Sequence, residues 1–137
     1  MRVMLDTNIL ISALFFPSTA TWKFFSVLSN TSNVVLCEYI TTELKRVAQK
    51  KFANREAVVD AFLEEFPYTL VQTRYAEDIE TAPYIRDSKD SPILATAIAE
   101  NVDVLVSGDK DFLVLDIHKP RIMNMSDFIN EYGKTCS

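Results

Sequence analysis

The sequence predicts an α/β fold whose mainly parallel sheet is covered on both faces. Apolar strand-like runs alternate with helix-like stretches along the whole chain. Most of those strands are continuous apolar runs, as expected where both faces of a strand are buried. At 137 residues and 48% hydrophobic content, the chain is one domain's worth, 1–137, and fills a core without disulfides.

Val3-Met4-Leu5 is a short strand that ends at Asp6. From Asn8 to Phe16, Ile9, Leu10, Ala13 and Leu14 share one helical face, and Pro17 stops the helix. A second helix is expected from about Thr19 to Ser29, and a buried strand from Asn33 to Cys37. Helices follow from about Thr41 to Lys51, with Leu44, Val47 and Ala48 inward, and from Glu56 to Phe66. Tyr68 to Thr73 reads as a strand, and Asp78 to Arg86 as a helix containing Pro83. Asp90 to Asn101 is a helix with Pro92 in its first turn, where a missing N–H does no harm. Val104-Leu105-Val106 is the next strand, running into Ser107-Gly108-Asp109. Ile122 and Met123 are read as a last strand, and Ser126 as the cap of a final helix to about Tyr132.

Composition excludes several chemistries. Two glycines, Gly108 and Gly133, cannot write a phosphate-binding glycine loop. His118, the only histidine, reads as a surface residue with no serine or cysteine motif beside it, which disfavours a nucleophile–histidine catalyst and a histidine zinc site. Cys37 and Cys136 have no metal-ligand spacing and are expected as reduced thiols. The apolar run at the start is broken by Asp6 and Asn8, so it is not a signal core. No stretch of about 20 apolar residues could span a membrane. The expected location is the cytoplasm.

Net charge is −5, with a sequence pI near 4.8. Residues 45–55 carry Lys45, Arg46, Lys50, Lys51 and Arg55 without an acid, which leaves about −10 on the rest of the chain. Part of that charge can be concentrated in one pocket, where bound cations would offset it.

Ligands of open parallel sheets sit beyond the carboxyl ends of the strands. Asp6 and Asp109 stand at two such ends, while Glu43 and Asp90 stand near the starts of helices leaving the same edge. Asp111 follows as a fifth acid. Each has a plain reading: Asp6 and Asp90 as helix caps, Glu43 as a first-turn complement to the helix dipole, Asp109 and Asp111 as turn residues. Jointly, four acids at corresponding ends of successive β–α units point to a site. Crowded carboxylates repel unless a cation neutralises them, and an all-oxygen site suits Mg²⁺ or Mn²⁺.

Three segments resemble PIN domains: Met4-Leu5-Asp6-Thr7-Asn8-Ile9-Leu10-Ile11-Ser12-Ala13, Asp90-Ser91-Pro92-Ile93-Leu94-Ala95, and Val104-Leu105-Val106-Ser107-Gly108-Asp109-Lys110-Asp111-Phe112-Leu113. Thr42-Glu43-Leu44 lies where that family has a helix-borne acid, and the group most similar is the VapC-like toxins. The resemblance implies an α/β/α sandwich and a divalent-metal ribonuclease leaving a 5′-phosphate and a 3′-hydroxyl. It assigns Asp6, Glu43, Asp90 and Asp109 to the catalytic site, with Asp6, Asp90 and Asp109 holding the metal. Asn8, Ser107 and Asp111 match accessory positions. It also implies an antitoxin partner and a homodimer.

Lys45, Arg46, Lys50 and Arg55 are candidates to guide RNA phosphates, or simply a solvated helix face. Phe15, Phe16, Trp22, Phe24 and Phe25 read first as core and second as an apolar groove for a partner. Two rival functions stand beside the nuclease. A haloacid-dehalogenase-type phosphatase needs an Asp where this chain has Asn8. A PIN module that binds RNA or protein without cutting usually lacks acids that this chain keeps.

Overall fold

The computed structural model describes residues 1–75, 91–115 and 117–136. The helix expected over Asp78–Arg86 lies outside them, and so does Asp90. Five strands form one sheet: β1 (Arg2–Leu5), β2 (Asn33–Cys37), β3 (Thr69–Val71), β4 (Val104–Val106) and β5 (Arg121–Met123). Their order is β3-β2-β1-β4-β5, and every pairing is parallel. Successive side chains of a strand point to opposite faces. Val3, Met4 and Leu5 of β1 are all buried, as are all three residues of β4, so both faces of the central sheet are covered.

The helices are α1 (Thr7–Phe15), α2 (Thr19–Thr31), α3 (Glu38–Lys51), α4 (Glu56–Glu65), α5 (Ser91–Ala99), α6 (Lys110–Leu113) and α7 (Met125–Tyr132). Between them, α3 packs against α1, α4 and α5, and α2 packs against α7. Phe24 of α2 meets Phe128 of α7 edge to face, with centroids 5.4 Å apart, and both rings are fully buried. Among the described residues, no helix is long and apolar enough to cross a membrane.

Several boundaries differ from the sequence reading. Helix α3 begins at Glu38 rather than Thr41, so Glu43 lies in its second turn and not at its N-terminus. Helix α7 is capped by Asn124, whose side chain accepts from the Asp127 N–H at 2.7 Å, rather than by Ser126. Helix α2 opens with a capping box between Ser18 and Thr21. A 3-10 turn at Ala53–Arg55 separates Arg55 from α3, and α6 follows Asp109 directly.

Candidate active site

The strand order fixes where a site can form. The chain runs outward from β1 through β2 to β3, then returns across the sheet to β4 on the other side of β1. Connections leaving β1 and β4 therefore diverge, and a crevice opens at their carboxyl ends. Leu5 pairs with Val106, so the next residues, Asp6 and Ser107, emerge side by side. The Asp6 N–H donates to the Val106 carbonyl at 3.0 Å, continuing the ladder.

Asp6 is only 3% exposed and caps α1, its Oδ1 accepting the Asn8 N–H at 3.4 Å. Its other oxygen accepts from the Ser107 hydroxyl at 2.7 Å. That serine is fully buried, and its Oγ in turn accepts the Asp109 N–H at 3.0 Å. Asp109 caps α6, accepting the Asp111 N–H at 2.9 Å. A chain of hydrogen bonds thus runs from Asp6 through Ser107 to the Asp109 backbone, fixing both strand exits.

Burial drives the Asp6 pKa above its ordinary value. The bonds from Ser107 and the Asn8 N–H pull the other way, and the fields of Asp109 and Glu43 push it further up. Two of the other three predicted acids, Asp109 and Glu43, are therefore within electrostatic reach of Asp6. Asp109 and Glu43 are partly exposed. Glu43 pairs loosely with Arg46, at 3.9 Å. Asn8 is exposed, and its backbone N–H makes the contact to Asp6.

Among the described residues, no three acidic, histidine or cysteine side chains stand close enough to ligate one ion directly. The donor set nonetheless fits a hard divalent cation held partly through water. It is all oxygen, negatively charged, and built round a buried carboxylate that lacks a cationic partner among the described residues. Thr7, beside Asp6, adds a buried hydroxyl with no hydrogen-bond partner among the described residues.

The basic run is not one surface. Arg46 and Lys50 follow Glu43 at i+3 and i+7 on α3 and share its stripe. Lys45 lies on another side, in a recess it shares with Glu56 and Asp60. Arg55 donates to the Phe15 and Leu14 carbonyls at 3.2 and 3.5 Å and covers the Phe15 ring, closing the end of α1. His118 and Asp111 are exposed, and Cys37 is a buried free thiol.

Two hollows flank these elements, and only the second, the apolar groove, had a sequence reading. One, about 570 Å³, adjoins Glu43 and reaches Gln72 and Tyr75 beyond β3. The other, about 310 Å³, is apolar and lined by Ala13, Leu14, Pro17, Trp22, Phe25 and Phe66 among others. Of the aromatic cluster, Phe15 and Phe24 are core, whereas Phe16 and Trp22 are 63% and 78% exposed.

A family model described as PIN domain matches residues 2–111. Among solved structures, one described as VapBC2 from Rickettsia felis bound to a DNA fragment from their promoter is similar in fold. Its TM-score is 0.71 at 22% identity, covering 90% of this chain and 98% of that one. No match is found among curated proteins.

Proposed function

The chain belongs to the PIN-domain family, and from that premise we propose that it is a Mg²⁺- or Mn²⁺-dependent endoribonuclease. The observation that carries this reading is Asp6. It is buried at the switch point of the sheet, held by Ser107, and lies within the fields of Asp109 and Glu43.

In this reading Asp6, Asp90 and Asp109 hold the ion directly or through water, and Glu43 is a ligand or orients water. When bound, a divalent ion lowers the pKa of the attacking water and polarises the scissile phosphate. Ser107 and the Asn8 N–H each hold one Asp6 oxygen and so fix the carboxylate's orientation. Lys50, exposed on the Glu43 stripe, is the best placed of the basic residues to meet RNA phosphates, since Arg46 already pairs with Glu43. Lys45 and Arg55 face other groups.

Cleavage of labelled RNAs by purified protein tests the reading, with Mg²⁺, Mn²⁺ or EDTA, beside Asp6→Asn prepared identically. Activity that EDTA stops and Asp6→Asn lacks supports it. Wild type and mutant equally inactive across metals and substrates would move a non-cleaving RNA- or protein-binding module ahead.

The same reading makes the chain the toxin of a toxin–antitoxin pair, acting in the cytoplasm as a homodimer. The exposed Trp22 beside an apolar groove supports a covering partner, and the free Cys37 thiol suits a reducing compartment. Sedimentation tests the dimer: Trp22→Ser should shift wild-type dimer toward monomer, and a monomeric wild type would overturn that part.

A further inference from the structure

Moving along the carboxyl edge of the sheet from Asp6 toward β3, the surface dips into a cleft of about 570 Å³. Its walls include Tyr39, Thr42, Glu43 and Arg46 from α3, and Gln72 and Tyr75 from the segment leaving β3. The walls are tied together, since the Tyr39 N–H donates to Thr73 Oγ1 at 3.0 Å. The cleft thus adjoins the acids through a shared residue, Glu43, and its volume lies in the range of small-ligand sites.

Charge decides what fits. Glu38 and Glu43 outweigh Arg46, and Arg46 is already 3.9 Å from Glu43. A phosphate placed inside would meet net negative walls. An uncharged, planar group with both donors and acceptors meets better partners: the Tyr75 ring, 46% exposed, and the exposed Gln72 amide, which can both donate and accept. A nucleobase has this chemistry, stacking on aromatic rings and hydrogen-bonding through its edges.

We propose that this cleft takes one unpaired base of the RNA, next to the phosphodiester that lies over Asp6 and Asp109. The inference rests on the nuclease reading and adds to it a base-binding subsite beside the acids, built by residues that follow β3. A base inside an A-form duplex is stacked and paired, so it cannot enter. Tyr75 is the stacking platform and Gln72 reads the base edge.

The test is binding by fluorescence anisotropy in EDTA, where metal-dependent cutting is stopped. A short labelled single strand is compared with the same strand in a perfect duplex, for wild type, Tyr75→Ala, Tyr75→Phe and Gln72→Ala. Tyr75→Ala should weaken single-strand binding about tenfold, while Tyr75→Phe stays within about twofold. Duplex binding should not change. Gln72→Ala should alter the ranking of oligo-A, -C, -G and -U. Variants that bind every single strand like wild type, or a Tyr75→Ala that loses duplex and single strand equally, would overturn the subsite. If that happens while wild type still cuts RNA with metal, the subsite falls alone. A wild type that neither binds nor cuts RNA removes the nuclease reading and the subsite with it.

Discussion

The β1–β4 pair carries an aspartate at each end, and the two are in opposite electrostatic states. At the amino end, Asp103 accepts the Arg2 N–H at 2.8 Å and pairs with Lys119 at 3.4 Å, and these contacts hold its pKa below the ordinary value. Arg2 also reaches Glu100, through both its carbonyl and its carboxylate. At the carboxyl end, Asp6 is buried with only neutral donors and two further acids in range, and its pKa is raised. Charge is balanced where the sheet only has to fold and left unbalanced where a cation could be held. The same residue type thus lies in balanced charge at one end of the pair and in unbalanced charge at the other, where the candidate site is.

The sharpest way to break the comparison is to neutralise each aspartate. Asp6→Asn should reduce metal-dependent RNA cleavage to background, whereas Asp103→Asn should leave it within about twofold. Equal losses in a cleavage assay would erase the distinction. Next in size is the hydroxyl that fixes Asp6. Ser107→Ala should lower activity and metal affinity about 10–100-fold, read by cleavage rates against Mn²⁺ concentration.

Stability against pH sharpens the contrast further. Without metal, the raised Asp6 pKa means the native state favours the protonated acid. That contribution is present below the ordinary value near 3.8 and is lost as pH rises through the raised native value. Urea melts in EDTA should therefore show Asp6→Asn more stable than wild type at neutral pH, with the gap closing toward acid. Asp103 runs the other way: its contribution is present above about 3.8 and fades as pH falls through its lowered value. Saturating Mn²⁺ should restore wild-type stability, by about 2.7 kcal/mol at a hundred times its Kd, and leave Asp6→Asn unmoved. The smallest effect is at the exposed pair: Lys119→Ala should cost at most about 1 kcal/mol by the same melts.

The elements of this fold were legible wherever the pattern was physical and local. Val3-Met4-Leu5 and Val104-Leu105-Val106 are strands because both their faces are buried, and the acids that follow them land at the crevice by register alone. Helix starts were less legible. Cys37 caps α3 without a side-chain bond, so nothing marked Glu38 as the first residue. The α2 box uses Thr21 where a glutamate or glutamine is the usual sign. Asn124 and Ser126 are both good cap residues two positions apart, and the sequence could not rank them. The basic run looked continuous, yet the turn at Ala53–Arg55 carries Arg55 to the end of α1. Gln72 and Tyr75 gave no signal, because β2–β3 pairing rather than spacing brings them beside α3.

Helix α1 also acts as a ruler. Its N-cap is Asp6, and its other end, at Ala13 and Leu14, lines the apolar groove. The eight-residue step from Asp6 to Leu14, at about 1.5 Å per residue, sets these two points roughly 12 Å apart. A segment anchored beside Trp22 must therefore extend about four residues, at roughly 3.3 Å each, before its next side chain could stand over the acids.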